Sequence, residues 1–114
     1  MVQKATITWD DFQKLDIRVG TITQVEDFPK ARNPAYKIWV DLGELGIKKS
    51  SAQITKLYNK EELIGKQVLC VCNFEPRQVA DFMSEILVTG FVLDDKAVVL
   101  AQPQQAVPNG AALA

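Results

Sequence analysis

The chain of 114 residues contains no histidine and only two cysteines. Histidine is the commonest general base and metal ligand in proteins, so its absence disfavours acid–base and metal-dependent catalysis. The cysteines, Cys70 and Cys72, stand two positions apart on a predicted strand, which is not the spacing of redox or zinc motifs. We predict two free thiols in a reducing cytoplasm, no bound metal and no cofactor.

The chain also lacks an excess of positive charge and any long apolar run. Its 13 lysines and arginines stand against 14 aspartates and glutamates, whereas non-specific nucleic-acid binders are usually basic. Residues 1–6 contain no apolar signal core, and no run approaches the roughly 20 apolar residues that span a membrane. These absences predict a soluble cytoplasmic protein without membrane insertion, in which any RNA contact comes from a local basic patch.

Short apolar segments separated by turns predict β-strands along most of the chain. The predicted strands are 15–25, 36–43, 47–54, 68–72 and 86–92, followed by a shorter run at 97–100. Gly20 falls where the apolar alternation of the first strand shifts phase, which indicates a bulge or a sharp coil. Thr8 is the predicted cap of a helix at about 8–15, and Asn59 with Glu62 predicts a capping box before a helical turn.

The order of three strands, a helical connector and two further strands predicts an all-β protein with the OB-fold. This fold is a five-stranded Greek-key barrel, here with short N-terminal and connecting helices. The length predicts one domain, 1–114, with the barrel at about 15–100 and a C-terminal extension at about 101–114. OB-folds bind ligands on strands two and three and on two loops, which are 27–35 and 74–84 in this chain.

The segment 73–85 is the most informative part of the sequence. It lies between 68–72 and 86–92, two apolar runs typical of strands buried on both faces. Pro76 interrupts strand pairing, and the aromatic, basic and amide side chains of the segment favour recognition over mere connection. The alternative is a long hairpin loop whose Phe74 and Phe82 fold back onto the core. Both interpretations stay open.

Surface residues outside this loop also suggest contacts. Trp39 stands among charged residues on the second strand, either as a stacking platform, as a subunit contact, or partly covered by a loop. Trp9 and Phe12 share one face of the short N-terminal helix, and Val107 lies in an apolar tail. Since this apolar surface exceeds what one small barrel can cover, we predict that Trp9, Phe12 and Val107 form the interface of a homodimer.

Six segments, matched in order and with similar spacing, carry a family resemblance: 12–20, 37–43, 50–55, 73–77, 84–88 and 107–110. The chain resembles the CsaA proteins, bacterial homodimeric chaperones associated with protein export, within the tRNA-binding-domain superfamily of OB-folds. The resemblance implies a dimer whose grooves bind extended peptides, with unfolded pre-proteins and the export motor SecA as partners.

The resemblance also implicates particular residues in ligand binding. These are Arg32, Lys37, Ser50, Ser51, Gln53, Asn73, Phe74, Arg77, Ser84 and Glu85, and Phe82 is expected to add apolar anchoring. The family pattern has glycine immediately before the Phe82 position, where this chain has Asp81. A carboxylate there is expected to narrow the groove or to select basic peptides.

The leading hypothesis is therefore a peptide-binding chaperone without catalysis, because Ser50 and Ser51 have no histidine to activate them. The alternative is tRNA or RNA binding on the same surface, with stacking on Trp39 or Phe74. The cations for such binding would be Lys30, Arg32, Lys37, Lys48, Lys49 and Arg77, unless they form an ordinary solvated surface. The corresponding loop of tRNA-binding relatives is more basic, so we expect weak tRNA binding.

Overall fold

Residues 2–114 are described by a computed structural model, in which nine short strands form three antiparallel sheets. The strands are β1 (Ile17–Asp27), β2 (Tyr36–Asp41), β3 (Ile47–Ala52), β4 (Gln67–Val71), β5 (Arg77–Val79), β6 (Phe82–Ser84), β7 (Leu87–Val88), β8 (Gly90–Val92) and β9 (Val98–Leu100). Two short helices, α1 (Trp9–Gln13) and α2 (Lys60–Leu63), accompany them. The largest sheet has the order β3-β2-β1-β4-β7, and the hairpins β5-β6 and β8-β9 form the other two.

The five-stranded sheet curls into a nearly closed barrel. The chain just before β7 returns to β3, where the Glu85 N–H donates to the carbonyl of Lys49 at 2.8 Å. This arrangement confirms the predicted all-β OB-fold.

Alternate residues of the strands point into the barrel and form its core. On β2 these are Ile38 and Val40, both fully buried, and β4 contributes Val68 and Cys70. Leu63 of α2 packs against the same core and covers one end of the barrel. Burial of each large aliphatic side chain contributes about 1.5–3 kcal/mol, so this cluster is the main source of stability.

Both predicted helix caps are confirmed. The Thr8 side chain accepts a hydrogen bond from the Asp11 N–H, and Asn59 accepts one from the Glu62 N–H, each completing a capping box. Helix α1 is shorter than predicted, since it ends at Gln13. Among residues 2–114, no helix is long and apolar enough to cross a membrane.

Of the two alternatives predicted at Gly20, the bulge is wrong. The register of β1 against β2 shifts between Ile22 and Gln24 instead. Gly20 has a different role, because a Cβ atom there would clash with the side chains of Val40 and Leu42. Glycine therefore permits close approach of β1 to the core side chains of β2.

The prediction of one buried strand over 86–92 is also wrong. The segment divides at Thr89 into β7, which pairs with β4, and β8, which leaves the barrel sheet and pairs with β9. Because no further sheet covers β8, Phe91 and Val92 are 65% and 72% exposed. These two apolar side chains are therefore not part of the core of this chain.

The C-terminal extension covers part of its own barrel. Ala112 forms a β-bridge with Arg18, and the Gly110 N–H donates to Val19 O at 2.7 Å. Only the second half of β1 pairs with β2, so the free edge of its first half accepts the tail. The Gln67 side chain holds the main chain of Val107 by two hydrogen bonds, of 2.7 and 3.0 Å.

Candidate functional site

An open cavity of about 490 Å³ lies between the end of β3, the β5-β6 hairpin and the start of β7. We call it the groove cavity. Six of the residues predicted to bind ligand line it: Ser51, Gln53, Phe74, Arg77, Ser84 and Glu85. The other lining residues, which the sequence analysis did not assign to the site, are Glu75, Val79, Ile86 and Leu87.

The β5-β6 hairpin sets the position of Arg77. Segment 73–85 is thus not an irregular loop, because Arg77 pairs with Ser84 and Val79 pairs with Phe82 across a turn at Ala80 and Asp81. Alternate residues of a strand share a face, so Arg77 and Val79 point to the same side. Arg77 forms no ion pair with any carboxylate of residues 2–114, which leaves its guanidinium available in the groove cavity.

Phe74 lies between the end of β4 and the hairpin, and it is 54% exposed in the wall of the groove cavity. Pro76, with its fixed φ angle, stiffens the connection from Phe74 to Arg77. A large aromatic side chain that remains half in water is available to anchor an apolar group.

Phe82, which was predicted to bind ligand, lies in the core instead and does not line the groove cavity. It is 6% exposed and packs edge-to-face on Phe28, with ring centroids 5.5 Å apart, and on Trp39 at 6.0 Å. For the two phenylalanines, the fold-back interpretation therefore holds for Phe82 and fails for Phe74. Trp39 is half-buried by the same contact, as the loop-cover alternative expected.

Lys37 and Lys49 surround this aromatic cluster. The Lys37 Nζ atom lies 5.0 Å from the Phe28 centroid and 5.4 Å from that of Phe82, and the Lys49 Nζ atom lies 5.1 Å from the Phe82 centroid. These distances are typical of cation–π interactions. Both ammonium groups therefore hold fixed positions on the outer face of β2 and β3 and do not line the groove cavity.

Two further predicted residues have structural roles. Ser50 is buried, and its hydroxyl donates to Ser51 O at 3.2 Å. The Asn73 amide donates to Lys14 O at 2.6 Å and its carbonyl accepts from the Asp16 N–H at 2.9 Å, so it ties the N-terminal segment to the end of β4. Asp16 forms an ion pair with Arg18 at 2.8 Å.

The outer edge of β3 is already occupied beside the groove cavity. The Lys49 N–H donates to the Glu85 carboxylate at 3.1 Å, and the Ser51 N–H donates to the Ser84 hydroxyl at 3.1 Å. A peptide therefore cannot pair with the main chain of β3 at these positions. Further along, Gln53 makes no main-chain or side-chain hydrogen bond with any of residues 2–114.

Asp81 lies outside the groove cavity, so it neither narrows the cavity nor faces a ligand within it. Its carboxylate pairs with Lys30 at 2.9 Å, and the hydrogen bond from Lys30 lowers the pKa of Asp81. Arg32, in the same loop as Lys30, is exposed and lines neither of the cavities described here.

A second cavity, of about 240 Å³, adjoins the first. Its lining residues are Asn33, Pro34, Gln53, Thr55, Lys56 and Lys96, and we call it the lysine cavity. Gln53 therefore lines both cavities. Sequence reasoning missed Lys56 and Lys96, because lysines beside turns are common and the fold alone brings these two together.

The predicted interface residues differ in exposure. Trp9 is 81% exposed, whereas Phe12 and Val107 are half-buried. A second apolar surface, which the sequence analysis missed, lies on β8, β9 and the turn between them; we call it the hairpin patch. Its exposed residues are Phe91, Val92, Leu93 and Val99.

Among residues 2–114, no group of three or more histidine, cysteine, aspartate or glutamate residues is placed to hold a metal. Cys70 is a buried free thiol, and burial raises its pKa to about 12. Cys72 is also free, and partial burial raises its pKa.

These features define a small OB-fold whose loops surround an open, mixed polar and apolar cavity. The sequence matches the family described as "Putative tRNA binding domain" over residues 17–112. The solved CsaA chaperone of Bacillus anthracis is 51% identical, over 96% of this chain and 100% of that chain, with a TM-score of 0.92. The CsaA chaperone of Picrophilus torridus is 47% identical with the same coverage and a TM-score of 0.90.

The chain therefore belongs to the tRNA-binding-domain family and, within it, to the CsaA-like proteins. A methionine–tRNA ligase of Chlorobium chlorochromatii is 36% identical over 107 residues, which are 94% of this chain. The chain spans about 15% of the length of that ligase.

Proposed function

We propose that this protein is an export-related molecular chaperone that binds extended or unfolded polypeptides in the groove cavity and catalyses no reaction. The observation that carries the proposal is the half-exposed ring of Phe74 beside the unpaired guanidinium of Arg77. Identity of about half to two CsaA chaperones supports it.

Each part of the groove cavity suits a part of an extended chain. Phe74 and Leu87 offer apolar surface to a side chain, and Arg77 offers five N–H donors to peptide carbonyls or a carboxylate. The unused main-chain groups of Gln53 allow pairing with the peptide backbone at the end of β3. Contacts to the backbone tolerate many sequences, as a chaperone requires.

The assembly we propose is a homodimer in the cytoplasm, with pre-secretory polypeptides as clients and SecA as partner. Trp9 and the hairpin patch support dimerisation, because exposed apolar side chains on such a small domain favour association. The second copy is the favoured occupant, since β8-β9 is a two-stranded sheet with no further strand paired to it among residues 2–114.

The decisive experiment compares Phe74→Ala with Ile64→Ala, because both side chains are 54% exposed and only Phe74 lines the groove cavity. Affinity for an unfolded, pre-secretory polypeptide should fall by about 1–3 kcal/mol in Phe74→Ala and stay unchanged in Ile64→Ala. Thermal unfolding should be nearly unaffected by Phe74→Ala. Normal binding by a Phe74→Ala protein that melts far earlier would place the binding site elsewhere.

The second candidate function is tRNA binding. The ammonium groups of Lys37 and Lys49, held over aromatic rings on β2 and β3, support it, as does the family. Against it, Glu75 and Glu85 line the groove cavity and repel phosphates. We expect weak tRNA binding that is lost at physiological salt; a complex of nanomolar affinity under those conditions would make this candidate the correct one.

A further inference from the structure

The groove cavity and the lysine cavity meet at Gln53, which lines both. Burial alternates along this part of the chain, with Ser50, Ala52 and Ile54 inside and the residues between them facing outward. The alternation indicates that the chain stays extended as far as Ile54, and a turn begins at Thr55. Ser51 lines the first cavity and Thr55 the second, so the two cavities follow one another along a single line.

The spacing of the two cavities matches a short extended peptide. Thr55 follows Ser51 by four positions, and the extended chain between them spans at most about 13 Å at roughly 3.3 Å per residue. A peptide that runs alongside advances by the same distance per residue. A side chain held by Phe74 and a second side chain in the lysine cavity would therefore lie about four residues apart.

The two cavities differ in charge. The groove cavity contains the carboxylates of Glu75 and Glu85 with one cation, Arg77. The lysine cavity contains the ammonium groups of Lys56 and Lys96 and no carboxylate. A polyanion bound along both cavities would meet the carboxylates of Glu75 and Glu85 in the groove cavity. A polypeptide, in contrast, can place side chains of different charge in the two cavities.

The lysine cavity has the donors that a carboxylate needs. Lys96 forms no ion pair within residues 2–114, and Lys56 donates to the main-chain carbonyl of Asp95 rather than to a carboxylate. The amides of Asn33 and Gln53 and the hydroxyl of Thr55 add uncharged donors. Asp94 and Asp95 belong to the same turn as Lys96, but neither lines the cavity.

We propose that the two cavities form one continuous, charge-polarised groove, in which the lysine cavity binds the carboxylate of an acidic residue in the client polypeptide. The acidic residue lies about four positions from the apolar residue held by Phe74. This inference rests on the proposed peptide-binding function and adds to it a preference for clients with that spacing.

The test uses short fluorescent peptides and the intact protein. Each peptide has one phenylalanine in a neutral, soluble sequence, with aspartate four residues before it or four residues after it. Matched controls carry asparagine at the same position or aspartate next to the phenylalanine. At low salt, one of the spaced aspartate peptides should bind about three- to tenfold more tightly than its asparagine control, and the difference should shrink as salt rises.

The protein variant for this test is Lys56→Gln combined with Lys96→Asn, since Lys96 has a φ of +67° and asparagine tolerates that conformation. The variant should bind the aspartate and asparagine peptides equally. The matched control, Lys4→Gln with Lys66→Gln, removes the same charge outside both cavities and should keep the preference. If the double variant fails to fold, the test uses Lys56→Gln alone. The comparison of aspartate and asparagine peptides on the wild-type protein then tests the proposed preference.

Three outcomes would overturn the inference, and they are distinguishable. If the wild-type protein binds the peptides through Phe74 with no preference for the spaced aspartate, the groove is not charge-polarised while the proposed function stands. If no peptide binds and Phe74→Ala changes nothing, both ideas fail. If loss of the two lysines weakens binding of a single-stranded RNA oligonucleotide but of no peptide, the lysine cavity is a phosphate site.

Discussion

Lys30 and Asp81 join the two loops at the mouth of the barrel, with Nζ of Lys30 2.9 Å from Oδ2 of Asp81. One loop follows β1, and the other is the turn of the β5-β6 hairpin. Directly beneath them, Phe28 and Phe82 belong to the same two segments and pack together. Asp81 thus adds an ion pair between the two loops, above the contact between Phe28 and Phe82.

Removal of this link should loosen the hairpin turn without harming the fold, since both charged groups are largely in water. Asp81→Asn should increase amide hydrogen exchange at 80–81 while peptide affinity changes less than about twofold. The pKa of Asp81 is lowered, so the link should persist above pH 3.8 and be lost as pH falls through the lower folded value. A large loss of peptide affinity would contradict its position outside the groove cavity.

Phe82→Ala should unfold the domain more easily, in contrast to Phe74→Ala. Phe82 is buried against Phe28 and Trp39, so truncation leaves a cavity and should lower the free energy of unfolding by about 3–5 kcal/mol. Urea denaturation of both variants measures the difference. Equal stability of the two variants would mean that the Phe28–Phe82 cluster is not part of the core.

Polar substitution in the hairpin patch should dissociate the dimer. Phe91→Ser with Val92→Ser removes the two most exposed apolar side chains of that patch, and sedimentation should then give a 12.7 kDa particle at micromolar concentration. Ile64→Ser, at a site 54% exposed outside the patch, is the control. Trp9→Ser tests whether α1 shares the interface. A wild-type particle of 12.7 kDa would contradict the dimer itself.

Alkaline pH should destabilise the protein through Cys70. Burial raises the pKa of this thiol from 9.0 to about 12, so the unfolded chain releases its proton at a lower pH than the folded chain does. The stability that the protonated thiol contributes is fully present below pH 9.0 and is lost as the pH rises towards 12. Near pH 10.5 the free energy of unfolding should therefore be lower by about 2 kcal/mol. Cys70→Ala should remove this component of the pH dependence, and urea denaturation at pH 8 and pH 10.5 measures it.

Sequence reasoning located six of the ten lining residues of the groove cavity, through the family resemblance and the loop positions of the fold. It did not separate Phe74 from Phe82, because both are aromatics in one polar segment. Their different burial depends on which face of the β5-β6 hairpin meets Phe28, a residue distant in sequence. Ser50 and Asn73 do not line the groove cavity, and the sequence could not show this, since their hydrogen-bond partners are visible only in the fold.

The sequence by itself determined the barrel and the N-terminal caps of its helices. Apolar alternation follows the two-residue period of a strand, and a capping side chain bonds main-chain groups of the next turn. Both effects act between neighbouring residues, so they can be read directly from the sequence. The tertiary structure alone decided which edges and surfaces remain open. Ser84 and Glu85 close the edge of β3, β8 turns its apolar face outward, and Lys56 meets Lys96 beside Gln53. Those relationships join residues far apart in the chain, and only the closure of the barrel brings them within contact distance.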